Sequence, residues 1–76
     1  MSLRNALLEA IKKHAEGHIE KHRVNVENLL QNTVGVAEHP DHIETIEKEL
    51  GIIAEYDDQL EMLNKYFVKK DPFKKW

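Results

Sequence analysis

The chain has 76 residues, 41% hydrophobic and 33% charged, with five His, no Cys and a formal net charge of −3. That length holds one domain, and the lack of Cys excludes disulfide staples, thiolate metal ligands and Cys nucleophiles. No run approaches the ~20 apolar residues of a membrane span, since Glu9 interrupts the apolar stretch near the N-terminus, so the expectation is a soluble, cytoplasmic protein.

From Leu3 to Leu30 the apolar residues keep helical spacing. Leu3, Leu7, Leu8, Ile11, Ala15, Ile19, Val26, Leu29 and Leu30 fall on one side at ~100° per residue, with Glu9, Lys12, Lys13, Glu16, Glu20, Arg23 and Glu27 opposite. The pattern predicts a first helix over about residues 3–31, with Ser2 as its N-cap. A turn over about residues 32–39 follows, where Gly35 can take a left-handed conformation and Pro40 cannot continue a helix backwards. A second helix over about residues 40–68 carries the stripe Ile43, Ile46, Leu50, Ile53, Leu60, Leu63 and Phe67. Its start is read either as His39 before a Pro in the first helical position or as a capping box made by Asp41 and Glu44.

A short loop between helices of similar length makes them antiparallel neighbours. The fold class is therefore all-α, a two-helix hairpin over residues 1–68 followed by a short basic tail over 69–76. Two helices cover only one face of each other, which is little apolar burial for a chain of this length. Further side chains point to a second packing surface. Ala10, Gly17 and Val24 lie seven apart on one flank of helix 1, and Thr45, Ile52, Gln59 and Tyr66 lie seven apart on a flank of helix 2. Small residues at heptad spacing allow helices to approach closely, and Gly17 otherwise costs its helix ~1 kcal/mol. The expected partner is a second copy, giving a homodimer or higher homo-oligomer built as a four-helix bundle, with Ala10, Gly17, Val24, Ile52, Gln59 and Tyr66 at the interface.

The histidines fall in the seam between the helices. His18 and His22 project near the centre of the apolar arc of helix 1, with His14 to one side, and Asp57 projects into the stripe of helix 2. With the loop centred near residue 36, facing residues have numbers that sum to about 72, so Asp57 lies within a turn of His14 and His18. A carboxylate in a seam needs a partner, and imidazole supplies one. Two readings follow. In the preferred one, His14, His18, His22 and Asp57 form a hydrogen-bonded layer that fixes register and orientation, with no cofactor. In the alternative, the same four residues bind a divalent transition metal, although no His here has the Glu three residues earlier that di-metal bundles use. His39 and His42 are read as loop or capping residues. Catalysis is not expected: Ser2 is the sole Ser, no Ser/His/Asp arrangement can form, and no Gly-rich phosphate loop is present.

Charge is divided along the chain. Residues 1–37 carry +1, residues 38–61 carry −8 and residues 62–76 carry +4. A dedicated nucleic-acid binder needs a basic stripe on an ordered face, and the basic block here sits at the very end. The tail residues Lys69, Lys70, Phe73, Lys74, Lys75 and Trp76 suit contact with an anionic surface, but folding of Phe73 and Trp76 back onto the open end of the hairpin is preferred.

The stretch Ala15-Glu16-Gly17-His18-Ile19-Glu20-Lys21-His22, with Asn25-Val26-Glu27, Val34-Gly35-Val36 and Glu38-His39 after it, resembles small uncharacterised helical proteins of tailed marine cyanophages and related metagenomic sequences. The resemblance covers residues 1 to about 67. It implies a viral source, a host-cytoplasm or virion setting and a host or phage protein as partner. It implies no role for any single residue. The expected function is a small self-associating helical interaction protein, a phage accessory factor, with metal binding as the alternative.

Overall fold

The structure, a computed structural model, describes residues 2–31 and 41–68. They form two α-helices, α1 over Leu3–Gln31 and α2 over His42–Tyr66, packed against each other as an antiparallel hairpin. The expected turn, with His39, and the tail residues Lys69, Lys70, Phe73, Lys74, Lys75 and Trp76 lie outside the described residues.

Each helix end shows how its orphan backbone groups are satisfied. Ser2 caps α1: its Oγ accepts the Asn5 N–H at 3.1 Å, and its carbonyl accepts the Ala6 N–H at 3.0 Å, as an N-cap serine does. The capping box, one of the two starts read for α2, is not formed. The Asp41 side chain makes no capping bond; instead the Asp41 carbonyl accepts both the Thr45 N–H at 2.9 Å and the Thr45 Oγ at 3.1 Å. Glu44 turns outward and stands 3.8 Å from Lys48. At the far end α2 stops at Tyr66 rather than near 68, with the Phe67 and Val68 N–H groups both donating to the Leu63 carbonyl. Arg4, from the first turn of α1, donates to the Phe67 carbonyl at 2.6 Å. A cation is thereby placed at the negative end of the α2 dipole, a favourable arrangement that joins the two chain ends of the hairpin.

The cross-helix partners set the register. His14 and His18 meet Tyr56, His22 and Asn25 meet Glu49, Leu29 meets His42 and Arg4 meets Phe67. These facing pairs have numbers summing to between 70 and 74, which matches the level expected from the loop position. On α2 the seam runs through His42, Ile46, Glu49, Ile53, Tyr56, Leu60 and Leu63, all half-buried. That alternation of three and four residues is the heptad seam of a coiled coil.

Very little of the apolar surface is covered. Ala15, 1% exposed, is the sole buried residue among those described, while Leu3, Leu7, Ile11, Val24, Leu30, Ile43, Leu50, Tyr66 and Phe67 are each about half exposed or more. The molecule is a rod of 55 × 24 × 16 Å with a radius of gyration of 17.2 Å, against about 11 Å for a compact chain of this length.

Candidate functional site: a polar and aromatic layer between the helices

Helical spacing of four residues stacks His14, His18 and His22 on one side of α1. They share that side with Asn25 and face Glu49 and Tyr56 of α2. His22 Nδ1 and Glu49 Oε2 form a short contact, with side-chain exposures of 12% and 19%, and Asn25 Nδ2 donates to Glu49 Oε1 at 3.2 Å. The two oxygens of Glu49 thus have one partner each. This is the arrangement that makes a carboxylate tolerable between two helices, since an unpartnered one is strongly penalised.

One turn away the layer becomes aromatic. The His18 ring stacks on Tyr56 with centroids 4.6 Å apart and planes inclined by 10°. His14 stands against His18 at 4.5 Å and meets the Tyr56 ring edge-on at 6.1 Å, while His18 and His22 lie parallel at 6.1 Å. The pKa of His18 is held below its ordinary 6.5, first by its loss of water and then by the charges of His14, Lys21 and His22. Nearer the loop, His42 donates through Nε2 to the Leu29 carbonyl at 2.9 Å. His42 therefore tethers the start of α2 to the last turn of α1, the capping role read for it from its position.

The structure moves the carboxylate of the layer. Asp57 was expected in the seam beside His14 and His18, but it is exposed on the flank of α2. Tyr56 occupies the place facing His14 and His18, and Glu49 is the carboxylate that enters. The helix is rotated by one position relative to the apolar stripe: Leu50, assigned to the seam for its hydrophobicity, is 50% exposed, and Glu49 replaces it because His22 and Asn25 wait at its level. The four residues considered for a metal therefore do not converge. Among the described residues no group of three His, Asp or Glu side chains is arranged to hold a metal ion. Of the six interface candidates, Ala10, Gly17, Val24, Gln59 and Tyr66 are exposed and Ile52 is half-buried. Among the described residues no helix is long and apolar enough to cross a membrane.

The depressed pKa of His18 links stability to pH with a definite sign. Below pH 6.5 the unfolded chain binds a proton at His18 that the folded chain resists, so this group's effect on stability is fully favourable above 6.5 and is lost as the pH falls toward the lower folded value. Melting temperatures recorded between about pH 5 and 7.5, a window above most carboxylate titrations, should fall on acidification. The slope should be shallower in His18→Gln. An unchanged slope would show that His18 is not the group responsible.

No family model matches this chain, and neither does any curated protein or solved structure.

Proposed function

We propose that the chain is a small self-associating helical interaction protein in which each hairpin is half of a four-helix bundle. One observation carries this reading: the hairpin leaves its apolar surface uncovered. Leu3, Leu7, Ile11, Val24, Leu30, Ile43, Leu50, Tyr66 and Phe67 stand about half exposed or more, and Ala15 is the sole buried residue among those described. The polar layer supports the same assignment. His22, Asn25 and Glu49 satisfy one another, as the polar groups that set register in helical seams do.

The resemblance to cyanophage proteins supplies a setting, an accessory factor in the host cytoplasm or in the virion that presents a helical surface to a host or phage protein. Size-exclusion chromatography with light scattering on the untagged chain is the test. A mass of twice 8.9 kDa, or a higher multiple, is expected at micromolar concentration. A clean monomer would refute the reading.

A further inference from the structure

Three imidazoles at intervals of four make two neighbouring pairs on one side of α1, His14 with His18 and His18 with His22, and sequence spacing treats the two pairs alike. The structure separates them. An imidazole nitrogen holds its lone pair in the ring plane, so two rings can serve one ion only where their planes meet at it. His14 and His18 are inclined by 57° with centroids 4.5 Å apart, and their planes cross. His18 and His22 are inclined by only 14° and stack at 6.1 Å, so their lone pairs run alongside each other. His22 is committed besides, since its Nδ1 meets Glu49, and Asp57 is exposed on the flank of α2. Of the four residues weighed for a metal, one pair remains.

The separation of that pair matches a particular coordination geometry. A ligating imidazole nitrogen lies ~2.0–2.1 Å from a divalent ion and its ring centre about 1.1 Å further out, so two rings at adjacent corners of a square have centroids about 4.5 Å apart, and two at tetrahedral corners about 5.2 Å. The observed 4.5 Å is the square value, the geometry of Cu(II) and Ni(II) rather than of Zn(II). Tyr56 braces both rings from α2, stacking on His18 at 4.6 Å and meeting His14 at 6.1 Å, which limits the ordering that a bound ion would have to impose. His14 is exposed, so an ion can enter from solvent. Gly17 neighbours the pair on the helix surface, and a Cβ added there would meet nothing within 4 Å, which leaves room for waters in the ion's shell.

We propose that His14 and His18 form a two-imidazole site for a divalent ion of square preference, Cu(II) ahead of Ni(II), with water in the remaining positions. The site does not depend on self-association, because both ligands come from one helix. With two protein ligands it is an exchangeable site, and it weakens as the pH falls because the ligands must be neutral to bind.

Calorimetric titration of the untagged chain with Cu(II) chloride, at about pH 7.5 where imidazole is mostly neutral, tests the assignment. The wild type should take up about one ion per chain. His14→Ala, an exposed change that leaves the seam in place, should weaken binding by about tenfold or more, as should His18→Ala, while His22→Ala and His39→Ala should stay within about threefold of the wild type. The electron paramagnetic resonance spectrum of the Cu(II) complex should show two coordinated nitrogens, falling to one in His14→Ala. Absence of Cu(II) binding to the wild type would overturn the proposal. So would unchanged affinity in His14→Ala, an equal loss in His22→Ala, or a loss confined to His39→Ala.

Discussion

Replacing Glu49 by Ala should lower stability by about 1–3 kcal/mol, the cost of leaving polar partners unsatisfied inside a packed seam. Glu49 is the one carboxylate held by both His22 and Asn25, and it and His22 are mostly shielded from water. The single change strands both partners, whereas His22→Leu combined with Glu49→Leu removes the pair and supplies apolar side chains of seam size. That double variant should be more stable than Glu49→Ala, because it leaves only Asn25 without its partner and an apolar replacement of a buried polar pair is often neutral or favourable. Guanidinium unfolding of the two single variants and the double gives a coupling energy directly. Additive losses would show that His22 and Glu49 do not act as a unit. If the layer fixes register, the double variant should also lose structural uniqueness, visible as broadened amide resonances in the proton–nitrogen spectrum.

The main difference between the sequence reading and the structure is a rotation of α2 by one position. Both helices, their antiparallel arrangement and the level at which residues face each other were legible, because these follow from hydrophobic spacing, the Ser2 cap and the position of the loop. The rotation of α2 was not. Ile46, Ile53 and Leu60 belong to the seam on either choice, and the choice between Leu50 with Asp57 and Glu49 with Tyr56 was made on hydrophobicity. Hydrophobicity gave the wrong answer because the opposing helix is itself polar at that level. His22 and Asn25 make an acidic residue the better neighbour, and His18 makes an aromatic ring the better neighbour. Matching polar residues across the expected register would have found Glu49, since 22 and 49 sum to 71, close to the level already inferred from the loop. Arg4 at the end of α2 was hidden for a related reason. Its partner is a backbone carbonyl near residue 67, which becomes visible only when the two chain ends are placed together. The capping box at Asp41 and Glu44, one of the two starts read for α2, failed for a local reason: Thr45 takes the Asp41 carbonyl and Glu44 turns to Lys48.

The largest effect should appear in the concentration dependence of unfolding. A hairpin with one buried residue among those described has little to hold it as a monomer. If two copies complete each other, folding and association are one process and the melting temperature follows mass action. For a dimer whose unfolding enthalpy scales with length in the ordinary way, about 0.7 kcal/mol per residue, each tenfold change in concentration moves the midpoint by about 5 °C. Circular dichroism at 222 nm, recorded on the untagged chain from 1 to 100 µM, tests the central claim most directly. The midpoint should rise by about 10 °C across that range, whereas a helical chain that melts at one temperature throughout would show that the hairpin is stable alone and contradict the account.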